Sequence, residues 1–159
     1  MSVKVKYSKV GVGGTFDKLH KGQKKLIETA LEVGNTVLIG VTTEKMLEKS
    51  PKSHEVDSFE ERVKELKVFL EEKNALDKVV IFPIDDPYGP ALTDKEVEVI
   101  VVSLETAFRA REINMMRREK GLKPLKIMVI NMVLAEDEIP ISTTRIRRGE
   151  IDEDGRLIT

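Results

Sequence analysis

Residues 11–23 read "GVGGTFDKLHKGQ", and the reading of this stretch decides the fold. It follows a short apolar run and leads into a helix-like pattern, so its glycines, threonine and histidine sit where a strand should turn into a helix. Such a turn suits an anion, because the first N–H groups and the positive dipole end of a helix favour negative charge. Two well-known glycine motifs fail on it. A dinucleotide fingerprint needs glycine where Phe16 stands, and neither Gly14 nor Gly22 opens a Walker A loop. His20 and Gln23 are left three residues apart, sharing one face of a first helical turn. Gly22 between them predicts a close approach of phosphate to the backbone.

The flanking sequence predicts an alternating chain. Residues 9–13, 36–41, 79–84, 97–102 and 125–133 have strand character, several as β-branched runs such as "TVLIGV" and "VEVIVV". Runs of that kind belong to strands buried on both faces of a parallel sheet. Between them, Leu26, Ile27, Ala30 and Leu31 form an apolar helical stripe ending at a predicted C-cap, Gly34-Asn35. A second stripe runs from Phe59 to Leu70 behind Ser58 as N-cap, and a third pattern spans residues 105–120. A short last helix is expected from Ser142 to Gly149. The alternation implies right-handed βαβ units and a doubly wound, Rossmann-like α/β fold with a five-stranded parallel sheet. One domain over residues 1–159 is the simplest organisation. The longest loops are expected at residues 45–57 and 85–95, and loops at the carboxyl ends of parallel strands bind ligands in such folds.

Composition narrows the function. With 27 Lys+Arg against 28 Asp+Glu, a broad nucleic-acid face is not expected. The absence of cysteine excludes disulfides, thiolate metal sites and Cys nucleophiles. Two histidines make a zinc site unexpected, and no metal ligands are assigned. No apolar run approaches the ~18 residues of a membrane span, so a cytoplasmic protein without membrane partners is the expectation.

"GGTFDKLHKGQ" resembles the GTFDxxHxGH signature of the nucleotidylyltransferase superfamily, and "ISTTRIR" at residues 141–147 resembles its second signature, ISSTxIR. "VVSLET", "NMMRREKGLKPL" and "ISTTRIRRGEID" look like the archaeal phosphopantetheine adenylyltransferases, over nearly the whole chain. That resemblance implies transfer of AMP from ATP to 4′-phosphopantetheine in coenzyme A biosynthesis, with Mg²⁺ accompanying ATP. Glycerol-phosphate cytidylyltransferases and archaeal FAD synthases carry the same two motifs, but residues 101–125 resemble the pantetheine branch.

The resemblance also implies roles. Gly13, Gly14, Thr15, Phe16 and Gly22 would form the phosphate turn, with Thr15 at the junction of the acceptor phosphate and the α-phosphate. His20 would donate to the ATP phosphates. Ser142, Thr143 and Thr144 would hold the β- and γ-phosphates, and Arg147 would add fixed positive charge. Ser103, Glu105 and Thr106 would seat the adenosine. Lys49 and Lys52 are candidates for the reacting phosphates, and Asn114 and Arg117, which share a helical face by their spacing, are candidates to reach the pocket. Core packing is expected of Met115 and Met116, a turn-organising role of Asp17, and a solvated position of Arg148, while a solvated face stays an open alternative for Arg145 and Arg147. One position departs: the family's second histidine is Gln23 here. Its amide can still donate to phosphate but cannot become cationic, which leaves an impaired nucleotide-binding protein as an alternative. Oligomeric state is left open by the sequence.

Overall fold

The computed structural model describes residues 6–48 and 56–158. Five strands, β1 (Tyr7–Gly14), β2 (Gly34–Thr42), β3 (Val79–Ile84), β4 (Val99–Val102) and β5 (Lys126–Val129), form one sheet in the order β3-β2-β1-β4-β5. Every neighbouring pair is parallel. The central strands are buried on both faces because helices cover both. On one face Val10, Val12, Val37, Ile39 and Val41 pack with Ile27 and Ala30 of α1 (Lys21–Val33), and with Leu66 and Leu70 of α3 (Phe59–Glu72). On the other, Leu38, Ile100 and Val102 meet Ala107, Ala110 and Ile113 of α4 (Ala107–Glu119). The period-2 alternation within β2 thus feeds two separate core layers.

The strand order reverses between β1 and β4. Chain leaving the carboxyl ends of these two neighbours runs in opposite directions, which opens a crevice there. No helix among the described residues is long and apolar enough to cross a membrane.

Several boundaries differ from the sequence pattern. Gly34 caps α1 as expected, its N–H donating to the Ala30 carbonyl, but with extended rather than left-handed backbone: its φ is −114° and it opens β2 directly. Glycine is needed there for closeness, since a Cβ would lie 2.8 Å from Val10 Cγ2. β5 ends at Val129 rather than residue 133, because its partner β4 ends at Val102 and offers no further ladder beyond the Ile130 N–H to Val102 carbonyl bond. The 45–57 loop begins with a four-residue helix, α2 (Glu44–Leu47), capped by the Thr43 hydroxyl. The 85–95 loop contains a 3-10 turn at Gly89–Leu92, which follows an Asp86 side chain accepting from the Tyr88 and Gly89 N–H groups.

Helix α4 also corrects the side-chain assignments. Asn114 and Arg117 do not reach the pocket. The Asn114 amide accepts from Leu125 N–H at 2.7 Å and donates to Leu125 C=O at 2.9 Å, pinning the chain just before β5. Arg117 donates to the Lys123, Ala91 and Asp94 carbonyls, all at 2.8–2.9 Å. Both satisfy buried loop backbone, which spacing alone cannot distinguish from a ligand-facing stripe. Met115 is exposed rather than in the core, while Met116 is half-buried.

Candidate active site

The chain leaves β1 through Gly13 and Gly14, then turns sharply at Thr15-Phe16-Asp17. Phe16 has φ 52° and Lys18 φ 60°, left-handed conformations that cost non-glycine residues on the order of 1 kcal/mol each. Phe16 offsets part of this by burying its ring against Gly14, where a Cβ would come within 3.3 Å of it. The turn also buries Asp17 and delivers His20 to the N-cap of α1.

His20 and Gln23 form a reciprocal capping box. The His20 Nδ1 accepts from the N–H groups of Gly22 at 3.1 Å and Gln23 at 3.4 Å, while Gln23 Oε1 accepts from His20 N–H at 3.0 Å. The imidazole is thereby fixed with Nδ1 as acceptor and its proton on Nε2. Burial pushes its pKa down to about 4, so it is a neutral donor at physiological pH.

This geometry corrects the backbone expectation for α1. The N–H groups of Gly22 and Gln23 go to His20, that of Lys21 to the Glu153 carbonyl, and that of Lys24 to the His20 carbonyl. The first turn is therefore already satisfied, and its side chains rather than its amides are left to meet an anion. Gly22 has a matching reason: a Cβ there would stand 3.1 Å from the His20 ring. Gln23 spends its oxygen on the cap, which leaves the amide nitrogen as the end able to donate elsewhere.

The second motif opens α5 (Thr143–Arg147). Ser142 caps it by accepting from the Arg145 N–H at 3.2 Å. The Thr143 hydroxyl donates to the Asp17 carbonyl at 3.1 Å, stitching the two motifs together. Arg147 is tied to the same residue through its side chain, donating from Nε and Nη2 to Asp17 Oδ2. Burial works against the Arg147 charge, but the hydrogen bond and charge of Asp17 prevail and raise its pKa further. Asp17 is thus more than a turn residue, since it also accepts from Asp57 N–H through Oδ1. Arg145 is not part of a solvated face: it pairs with Asp137 and Glu150 and donates to the Ile139 and Pro140 carbonyls. Arg148 is exposed.

These groups line one cleft of about 640 Å³ at the switch point, which brings together Gly13, Gly14, Thr15, Phe16, His20, Gly22 and Gln23 with Ser142, Thr143, Thr144 and Arg147. Ser103, Glu105 and Thr106 line its far wall after β4. Sequence reasoning missed residues 130–133, which join that wall; read as strand, they gave no sign of leaving the sheet. Lys49 and Lys52 lie outside the described residues. A second, more apolar pocket of about 290 Å³ shares Gly13, Gly14 and Thr15, and is walled by Phe82, Ile84, Tyr88 and Arg109 among others.

The donors around the larger cleft are imidazole, amide, hydroxyl and guanidinium groups, which match phosphate oxygens. Among the described residues no group of three His, Cys, Asp or Glu could hold a metal ion.

A parallel sheet that presents such donors at its switch point makes an α/β phosphate-binding site, and the relatives of the chain are nucleotidyltransferases. A model of the cytidylyltransferase-like family matches residues 12–149. The chain is 48% identical to the phosphopantetheine adenylyltransferase of Methanothermobacter thermautotrophicus over 98% of this chain and 93% of that one. It is also 48% identical to that of Methanopyrus kandleri, with 96% of each chain covered. A crystal structure of a protein of unknown function from Archaeoglobus fulgidus superposes with a TM-score of 0.70 at 36% identity, covering 77% of this chain and 88% of that one. The chain belongs to the cytidylyltransferase-like family, in its phosphopantetheine adenylyltransferase branch.

Proposed function

We propose that the protein transfers AMP from ATP to 4′-phosphopantetheine, forming dephospho-coenzyme A and pyrophosphate. The observation that carries this reading is the meeting of two unlike pockets at Gly13-Gly14-Thr15. The polar cleft suits a nucleoside triphosphate. The narrower apolar pocket suits an extended, weakly polar arm whose phosphate ends at Thr15.

The acceptor phosphate has a second pKa of ~6 and is largely ionised at neutral pH, so no general base is required. One of its oxygens attacks the α-phosphorus in line, a new P–O bond forms, and the bond from the α-phosphorus to the bridging oxygen breaks as pyrophosphate leaves. The protein's task is to hold two anions together and to stabilise charge on the leaving group. Thr15 donates where the two phosphates meet. His20, through Nε2–H, and Gln23, through its amide, donate to the triphosphate. Arg147 supplies a positive charge that Asp17 keeps in place, and the Ser142 hydroxyl and the start of α5 receive the β- and γ-phosphates. Mg²⁺ bound to the triphosphate would share the charge on the phosphate oxygens.

A panel of donors and acceptors tests the assignment. ATP with 4′-phosphopantetheine is expected to release pyrophosphate, with dephospho-coenzyme A identified by mass. CTP with glycerol 3-phosphate as the preferred pair would overturn it.

A further inference from the structure

Behind the phosphate turn lies a buried cation that the mechanism above does not use. Arg62, on α3, is 1% exposed. Its Nε donates to the Asp57 carbonyl at 2.9 Å, and its Nη1 to the Thr15 carbonyl at 2.9 Å and to Thr42 Oγ1 at 3.4 Å. All three acceptors are neutral oxygens. Its Nη2 is buried without a partner among the described residues. Burial pulls the guanidinium below its ordinary pKa, while Glu44, Asp17, Asp57 and Glu60 act at longer range to keep it charged.

Thr42 closes β2 and faces Thr15, and its hydroxyl donates to Thr15 Oγ1 at 3.1 Å. A hydroxyl has a single proton. Once Thr42 has given its proton to Thr15, the proton of Thr15 itself must point to another acceptor, and Thr15 lines both pockets.

We infer that Arg62 and Thr42 are positioning residues that turn the Thr15 hydroxyl into a charge-assisted donor, through the chain Arg62 Nη1–H to Thr42 Oγ1–H to Thr15 Oγ1–H to a phosphate oxygen. Each link polarises the next, so a cation at the back of the turn strengthens a neutral donor at its front. The Arg62 bond to the Thr15 carbonyl holds the backbone of the same residue, so one guanidinium sets both the place and the direction of the donor. This inference rests on the reading of the larger cleft as a triphosphate site.

Replacing Arg62 removes three tertiary hydrogen bonds and endangers the fold, so Thr42 is the place to cut the chain. The test compares wild type, Thr42→Val, Thr42→Ser, Thr15→Val and the Thr15→Val/Thr42→Val double variant. ATP and inorganic pyrophosphate are the calorimetric probes, and forward turnover is measured alongside. Thr42→Val keeps the shape and removes the donor, so ATP affinity should fall about tenfold, the scale of one charge-assisted hydrogen bond. Thr42→Ser should stay within about twofold of wild type. In the Thr15→Val background, Thr42→Val should cost less than about twofold, because the chain has lost its outlet. Equal cost in both backgrounds, or a Thr42→Ser defect as large as that of Thr42→Val, would overturn the inference and leave Thr42 as packing. The outcomes separate cleanly from the assigned activity. Coupling between Thr15 and Thr42 in ATP binding without any transfer to phosphopantetheine would sink the reaction and leave the relay standing. Transfer without that coupling would do the reverse.

Discussion

Arg147 and Asp17 stand 130 residues apart in the chain, yet the guanidinium places two donors, Nε at 3.0 Å and Nη2 at 2.7 Å, on a single carboxylate oxygen. Asp17 is nearly fully buried. The pair joins the two halves of the cleft and holds the Arg147 side chain at its wall, where Nη2 also reaches Asp57 Oδ1 at 3.4 Å. Asp17→Asn preserves size and removes the charge that holds Arg147. Misplacing a phosphate-binding group by about 1 Å costs up to ~10²-fold in rate. Steady-state kinetics with ATP varied should show kcat/KM for ATP lowered by ~10- to 10²-fold, with KM for phosphopantetheine little changed. An unchanged kcat/KM would show that the pair is structural only.

Gln23 has two roles that can be separated. Gln23→Glu retains a carboxyl oxygen for the His20 N–H and suits the N3 position, so thermal stability should match or exceed wild type. The same change sets a negative charge against the triphosphate and removes the donor. Turnover should fall by at least ~10²-fold, as for loss of a preorganised donor. Gln23→Ala should lose about 0.5–2 kcal/mol of stability with the cap. Melting curves run beside turnover assays separate the two effects.

His20 carries a pH signature. Its folded pKa of about 4 lies below the ordinary 6.5, so the native state favours the neutral ring. The stability tied to that preference is complete above pH 6.5 and declines as pH falls toward 4. The full shift corresponds to about 3 kcal/mol. His20→Asn keeps a cap oxygen but does not titrate, so denaturant unfolding should show a smaller stability loss between pH 6.5 and pH 4 than in wild type. The His20 imidazole resonances, told apart from those of the chain's other histidine by assignment, should report the Nε2–H tautomer with no midpoint near 6.5. A midpoint there would contradict the capped, buried ring.

Asn114 offers a control for residues that only look catalytic. Its amide satisfies both polar groups of the Leu125 backbone. Asn114→Ala strands both, at about 1–3 kcal/mol each. Unfolding should shift accordingly, while KM for ATP stays within about twofold at temperatures well below the transition.

The periodic signals of the fold were readable because both core layers of β2 and both apolar stripes repeat locally. The pocket-forming motifs were readable for a related reason: Gly22, His20 and Gln23 act on one another within a single turn. What escaped the sequence depended on partners far along the chain. Asp17 gains its role from Arg147, Arg62 from Thr15 and Thr42, and residues 130–133 leave the sheet because β4 has ended beside them. Asn114 and Arg117 show the converse. Polar residues on one helical face look alike whether they meet a ligand or a buried loop carbonyl, and only the fold decides which.

In this reading Gln23 serves natively as a neutral phosphate donor in place of a second histidine. Pyrophosphate release from ATP and 4′-phosphopantetheine, measured for wild type and Gln23→His side by side, tests it most directly. Clear turnover is expected in wild type, with a change of less than about tenfold on Gln23→His, since both side chains can donate to the same phosphate. No turnover in wild type, with activity appearing only in Gln23→His, would contradict it.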